Sequence, residues 1–180
     1  DSTKLQEYAS DILRAFPTQS TATALKAGAL ARLEYWYLPS RFDALARLRN
    51  SIEAVVAFDQ PYRDAFLCAF SAILKCTSLW KTRSTKPAHD ETKTPADVAD
   101  AFRRQCNFMC TAWVQRSESS WTHNAEIHTC DARMLDATTF QADLIITSPP
   151  YVVSYDYADL HQLSLLWLGF ADDHRELRRE

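Results

Sequence analysis

Glycine is almost absent from this chain, and its absence limits the turns that the chain can form. The 180 residues include two glycines, Gly28 and Gly169, where average usage would give about a dozen. Gly28 lies inside Leu25–Leu30, a stretch typical of a helix. A glycine-rich turn that brings backbone amides against a phosphate or a nucleotide is therefore missing.

Residues 1–120 are predicted to form a helical section. Apolar side chains recur there at spacings of three and four residues, which is typical of helices with one buried face. Pro17 and Pro39 end the first two runs, and Ser40 and Thr94 are the expected caps of the third and fifth helices. We interpret the stripes as core packing. They comprise Leu5, Tyr8, Ile12 and Phe16; Leu25, Leu33, Trp36 and Tyr37; Phe42, Leu45, Leu48, Ile52, Val55 and Val56; Phe66, Phe70, Ile73 and Leu74; and Val98, Phe102, Met109 and Trp113.

A different pattern begins at residue 121. Two short runs, Glu126–Cys130 and Asp143–Thr147, are predicted strands, and a helical turn around Ala132–Leu135 separates them. Tyr157–Leu168 is a predicted helix. This order favours a βαβ step in a parallel sheet, although the crossover is short.

The second predicted strand ends in Thr147-Ser148-Pro149-Pro150-Tyr151. Two prolines restrict the backbone and remove two N–H donors, so the chain should leave the sheet in a rigid, extended turn. An exocyclic amine has two N–H donors, which the Ser148 hydroxyl and the Pro149 carbonyl could accept. The nitrogen lone pair would then be free to attack, while Tyr151 stacks on the base that carries the amine.

This turn resembles the catalytic loop of the amino-methyltransferases that modify cytosine N4 or adenine N6 in DNA, whose pattern is [Ser/Asp/Asn]-Pro-Pro-[Tyr/Phe/Trp]. Two further stretches resemble the same family in the expected order. Cys130–Leu135 is similar to its Gly-Asp-Ala-Arg-x-Leu segment, and Tyr155–Tyr157 with Leu163–Gly169 is similar to the continuation of one subgroup.

The resemblance implies an α/β fold, with residues 121–180 as part of a Rossmann-like methyltransferase sheet. The large helical section 1–120 would precede it as an insertion or recognition element. It also implies S-adenosylmethionine as the cofactor, with Asp131 and Thr147 as contacts. Asp131 and Ser148 both lie at the carboxyl ends of predicted strands, so we expect them to converge on one crevice at the edge of the sheet. An equal alternative is that Asp131 caps the turn that follows it.

One element of the family is missing. Its members bind S-adenosylmethionine through a turn similar to Asp-Pro-Phe-x-Gly-x-Gly, and nothing like it occurs here. We therefore interpret the chain as part of a methyltransferase that is inactive by itself. Either a complementary polypeptide carries the glycine turn, or the 180 residues are part of a longer protein that carries it.

The implied reaction transfers the sulfonium methyl group to an exocyclic base amine in DNA. Within the family, serine at position 148 favours cytosine N4 over adenine N6. The acceptor base must be flipped out of the duplex, and stacking on Tyr151 would offset part of the unpairing cost of a few kcal/mol. The catalytic residues are Ser148, Pro149, Pro150 and Tyr151. Two alternatives stay open: methylation of guanine N2 in tRNA, and a non-catalytic interaction module.

A basic stretch without apolar periodicity runs from Lys81 to Lys93. Lys81, Arg83 and Lys86 are its candidate phosphate contacts, and Trp80 at its start would stack on nucleic acid or anchor the loop. The alternative is a solvated connection between two helices.

Composition restricts the setting. The net charge of -3 creates no general attraction to nucleic acid, so any DNA contact must come from a local patch. No stretch approaches the length of a membrane span, and no basic-then-apolar leader opens the chain. The cysteines are odd in number, five, and lack Cys-x-x-Cys spacing. They favour reduced thiols in a cytoplasmic protein.

No metal site is predicted. Cys106 and Cys110 with His123 and His128 do not follow the spacing of a zinc site. Two buried thiols on one helix face are the preferred interpretation.

Overall fold

The computed structural model describes residues 1–118, 125–128, 130–134, 142–148, 157–173 and 176. Helices account for most of these residues. They are α1 (Ser2–Ala15), α2 (Ala27–Trp36), α3 (Pro39–Val56), α4 (Gln60–Ile73), α5 (Val98–Glu118) and α6 (Tyr157–Trp167), with short 3-10 turns at Phe16–Thr18 and Ala132–Met134.

Four of these helices form the main core. Helix α3 contacts α1, α4 and α5, while α1 and α4 also pack on α5. The helices bury most of the apolar stripes that the sequence predicts: Leu45, Leu48 and Ile52 of α3 are completely buried, as is Ile12 of α1. Each such side chain contributes about 1.5–3 kcal/mol when it leaves water, so the stripes are sufficient to pair these helices. The prediction is wrong for Trp113 of α5, which is 51% exposed.

Local chemistry sets the helix ends. The Asp1 carboxylate accepts from the Thr3 amide at the start of α1 (2.9 Å). Pro39 is the first residue of α3, so its missing N–H costs nothing there. Ser40 therefore lies inside that helix and does not cap it. Helix α5 begins at Val98 and not beside Thr94, because the Asp97 carboxylate accepts from the Asp100 amide (3.1 Å).

A second group of contacts joins α2 and α6 to the core. Helix α2 packs on α6 and on α3. Trp167 of α6 is completely buried and lies against the rings of Tyr37, Phe42 and Phe70, with centroid separations of 6.1, 5.0 and 5.7 Å. Emptying such a site typically costs about 3–5 kcal/mol. Helix α6 is thus part of the folded body.

Both glycines lie in this region: Gly28 permits a close approach of two segments, and Gly169 ends a helix. A Cβ on Gly28 would lie 3.0 Å from the Asp172 carbonyl oxygen, so glycine lets α2 approach the segment after α6. Gly169 has a φ of +77°. It ends α6 in a Schellman motif, in which the Phe170 amide donates to the Leu165 carbonyl (2.8 Å).

The prediction of an α/β fold is wrong. Across the part of the chain that the structure describes there is no strand and no sheet, and an isolated bridge between Trp80 and His89 is the extended pairing found. Described residues of both predicted strands, Glu126–Cys130 and Asp143–Thr147, lie outside regular structure. The physical reason is a lack of neighbours. Leu144, Ile145 and Ile146 are 75%, 81% and 86% exposed, whereas a parallel strand needs a partner along its edge and cover on both faces.

None of the described helices combines the length and the apolar character needed to cross a bilayer.

Candidate nucleic-acid interface and amine-binding turn

The basic loop is built on a short antiparallel contact. The Lys81 amide donates to the Ala88 carbonyl and the Asp90 amide donates to the Leu79 carbonyl, both at 2.8 Å. Residues 81–88 therefore leave and return at one point on the helical body. Lys81, Arg83 and Lys86 are all exposed on this excursion.

Two lysines outside the excursion donate hydrogen bonds that hold it in place. The Lys75 ammonium donates to the Ser84 carbonyl (2.8 Å), and the Lys93 ammonium donates to the carbonyls of Lys75 (2.9 Å) and Trp80 (2.7 Å). Burial lowers the pKa of Lys93. Lys93 is therefore a structural cation, whereas the three exposed cations are available to a ligand.

Trp80 anchors the loop. Its ring is 2% exposed and stacks on Trp36, with centroids 5.0 Å apart and planes 23° apart. Its indole N–H points to the Ser84 carbonyl (3.3 Å). A ring this buried presents no face to a base, so of the two roles expected for Trp80 the structure favours anchoring over stacking.

The turn motif is described only in part. Thr147 and Ser148 are exposed, while Pro149, Pro150 and Tyr151 lie outside the described residues. The sheet edge that was expected to bring Ser148 toward Asp131 is not formed by the described residues. The Ser148 hydroxyl is accordingly open to solvent or to a partner.

Asp131 is engaged by its own turn. The Arg133 side chain donates to both carboxylate oxygens, with its Nε at 3.0 and 3.1 Å and one terminal nitrogen at 2.6 Å, and the Arg133 amide donates as well (2.9 Å). These hydrogen bonds lower the pKa of Asp131. The contacts match the capping alternative. A cofactor amine at Asp131 would have to displace Arg133.

Helix α6, which follows the motif, and the basic loop both contact Trp36. Gln162 of α6 is 1% exposed, and its side-chain oxygen accepts from Arg32 Nε (2.8 Å) and from Trp36 Nε1 (3.0 Å). Trp36 therefore contacts Trp80 through its ring and Gln162 through its indole nitrogen. The basic loop and α6 share one anchoring residue.

Sequence reasoning did not identify the surface around Arg32, Tyr35 and His89. The Tyr35 ring is 51% exposed, and the His89 ring lies 4.6 Å from it. The Arg32 guanidinium carbon is 5.2 Å from the Tyr35 centroid. Residues 32 and 35 are neighbours on a helix face, which the sequence signals. The approach of His89 depends on how the loop returns.

The cysteines form no ligand cluster. Cys106 and Cys110 are buried on α5, and burial raises the pKa of the Cys106 thiol to about 12. Among the residues placed by the structure, no three His, Cys, Asp or Glu side chains come together to hold a metal ion.

Comparison of the chain with protein-family models, with curated proteins and with solved structures found no match.

Proposed function

We propose that this chain supplies the amine-binding turn and a DNA-backbone contact of an S-adenosylmethionine-dependent methyltransferase. The acceptor is an exocyclic base amine in DNA, with cytosine N4 favoured. The proposal starts from the Thr147–Tyr151 turn. The observation that carries it is the shared anchor: α6, which begins six residues after Tyr151, and the loop with Lys81, Arg83 and Lys86 both attach to Trp36.

The chemistry needs little from the protein beyond position. The amine nitrogen attacks the sulfonium methyl carbon, the carbon–sulfur bond breaks, and its electron pair stays on sulfur. The nitrogen then loses a proton to water. Hydrogen bonds from the amine to the Ser148 hydroxyl and the Pro149 carbonyl would aim the lone pair, and such orientation lowers the barrier because it is in place before reaction.

A flipped base also requires that the duplex be held. Lys81, Arg83 and Lys86 are exposed and suited to bind phosphates. The hydrogen bonds that hold the loop in place come instead from Lys75 and Lys93. Phosphate contacts set the position of a protein on DNA without reading sequence. The loop would thus place the duplex, while the turn receives the extruded base.

The cofactor cradle would come from outside these 180 residues, either on a complementary polypeptide or elsewhere on a longer chain that includes them. The chain has no glycine-rich turn, and Asp131 is paired with Arg133. The side chains of Leu144, Ile145 and Ile146 are exposed, which supports the proposal that another surface covers them in the complete assembly. Covering each of them would stabilise an assembly by about 1.5–3 kcal/mol.

A second candidate is a non-catalytic interaction module. Two features favour it: the sequence has no glycine-rich turn, and the described residues of the motif, Thr147 and Ser148, are exposed. The two candidates differ in what Ser148 does.

Nucleoside analysis separates the candidates. The gene for residues 1–180, with its flanking coding sequence, is expressed in a host that lacks DNA methylation. Mass spectrometry then measures N4-methylcytosine and N6-methyladenine in DNA, and N2-methylguanosine in tRNA. The proposal predicts N4-methylcytosine that Ser148→Ala strongly reduces. Methylation confined to tRNA would overturn the DNA substrate, and no methylation in any nucleic acid would favour the interaction module.

A further inference from the structure

A half-exposed aromatic ring lies beside the root of the basic loop. Tyr35 is near the end of α2, and the His89 ring tilts toward it at 38°. His89 Nε2 lies 2.9 Å from the Tyr35 carbonyl oxygen. A carbonyl only accepts, so His89 Nε2 carries the proton of this hydrogen bond. The contact holds both rings in a fixed relation, and Tyr35 stays 51% exposed.

A cation is held against the same ring. The Arg32 guanidinium lies over Tyr35 (5.2 Å) and Trp36 (5.3 Å), and its Nε donates to Gln162. This hydrogen bond leaves the terminal nitrogens of the guanidinium for another ligand. Because Gln162 belongs to α6, the helix that follows the motif, this hydrogen bond also ties the position of the Arg32 guanidinium to that helix.

The surroundings combine basic and acidic groups. Lys81 directly follows the Trp80–His89 bridge, with Arg83 and Lys86 farther along the loop. Glu34 and Asp90 are the acidic neighbours in sequence. Asp90 is occupied by the Thr92 hydroxyl (2.7 Å), which lowers its pKa.

We propose that Tyr35, flanked by Arg32 and His89, is a stacking site for an unpaired base of the DNA strand. An exposed ring next to cations is the arrangement that binds single strands, since every base has a π-face and every nucleotide a phosphate. Paired bases inside a duplex offer only their edges in the grooves. The site therefore selects a base that is already out of the stack, such as a neighbour of the flipped acceptor or its orphaned partner. The inference depends on the proposed DNA contact of the loop.

Binding by the 180-residue chain tests this site. The probes are an oligothymidylate strand about 12 nucleotides long, within the usual site sizes, and a duplex of equal length. Tyr35→Leu removes the ring but keeps apolar bulk, and Tyr35→Phe keeps the ring. We expect Tyr35→Leu to weaken single-strand binding at least about fivefold and Tyr35→Phe to leave it unchanged. Duplex binding should not respond to either change.

A matched control uses another exposed ring. Phe58 is fully exposed between α3 and α4, away from the loop, and Phe58→Leu should leave single-strand binding unchanged. An equal effect of Tyr35→Leu and Phe58→Leu, no effect of Tyr35→Leu, or no single-strand binding by the wild type would overturn the site.

The outcomes also separate this site from the proposed function. Suppose that Tyr35→Leu has no effect while the loop cations still account for duplex binding. The stacking site is then wrong and the DNA contact stands. Suppose instead that Tyr35→Leu has the expected effect but nucleoside analysis finds no methylation. The methyltransferase proposal then fails and the stacking site stands.

Discussion

At the scale of single residues, Gln162 links α6 to Trp36 and Arg32 of α2. Its side-chain oxygen satisfies the buried indole N–H of Trp36 and one donor of Arg32, and its own amide donates to the Asp159 carbonyl (2.8 Å). One side chain thus holds α6, the Trp36–Trp80 stack and the Arg32 cation in register.

Gln162→Ala should lower the free energy of unfolding by about 1–3 kcal/mol, because the Trp36 indole N–H stays buried without an acceptor. Urea denaturation followed by circular dichroism measures the change. The control is Gln115→Ala on the exposed end of α5, where the expected change is within about 0.5 kcal/mol. Equal effects of the two substitutions would show that the Gln162 contacts do not stabilise the fold.

The buried thiol of Cys106 gives the molecule a pH dependence with a defined sign. Its pKa is raised by burial from 9.0 to about 12. The folded state therefore holds this proton more tightly than the unfolded state. The stability that results is complete below pH 9 and is lost as the pH rises toward 12.

We expect Cys106→Ala to reduce the alkaline loss of stability. The free energy of unfolding is measured at intervals from pH 8 upward for the wild type, Cys106→Ala and Cys68→Ala. Cys68 is exposed, so its substitution should leave the wild-type slope. A slope for Cys106→Ala as steep as that of the wild type would contradict the buried position of this thiol.

At the scale of elements, the loop of residues 81–88 places three cations on a fixed base. Replacing Lys81, Arg83 and Lys86 with Gln should weaken binding to all DNA sequences equally. It should also flatten the log–log salt dependence by about 0.9 for each lost phosphate contact. Stability should be nearly unchanged, since exposed charges contribute little to it.

The control removes three exposed arginines elsewhere. Arg14, Arg103 and Arg116 lie on α1 and α5, and changing them to Gln lowers the net charge equally. If this control flattens the salt dependence as much as the loop variant does, general charge explains binding and the loop is a connector.

Most helices could be predicted because the buried face of a helix leaves a local spacing of apolar residues in the sequence. The stripes of α1, α3 and α4 repeat every three or four residues, so their buried faces are visible in sequence. Helix starts were less certain. Ser40 and Thr94 have suitable cap side chains, yet Pro39 and Asp97 set the actual starts, because a proline and a carboxylate nearby serve the free amides as well or better.

Local composition could not show whether the two predicted strands form. Asp143–Thr147 has the composition of a buried strand, but a strand is stable only when other strands and covering elements are supplied. The described chain supplies none, so Leu144, Ile145 and Ile146 remain exposed. Contacts between distant segments, such as His89 on Tyr35 and Gln162 on Trp36, were likewise beyond sequence patterns. They depend on how whole helices pack.

At the scale of the whole molecule, the helices form a folded body, while the sequence has no glycine-rich cofactor turn. Helices α1 to α6 bury a core, while the described residues of the motif stay exposed. We therefore expect the isolated 180-residue chain to bind S-adenosylmethionine weakly or not at all. The sequence has no glycine-rich turn that would bring backbone amides against the cofactor. Calorimetry that finds micromolar affinity would show that the cradle is complete without a partner.

The central claim is that the Thr147–Tyr151 turn binds the reacting amine, and the most direct test is the effect of Ser148→Ala on methyl transfer. In the protein expressed with its flanking coding sequence, single-turnover methyl transfer to duplex DNA is measured for the wild type and Ser148→Ala. We predict a rate roughly tenfold to thousandfold lower for Ser148→Ala, because one oriented acceptor is lost, with unchanged DNA affinity. A Ser148→Ala rate equal to that of the wild type would contradict the proposal that this turn binds the reacting amine.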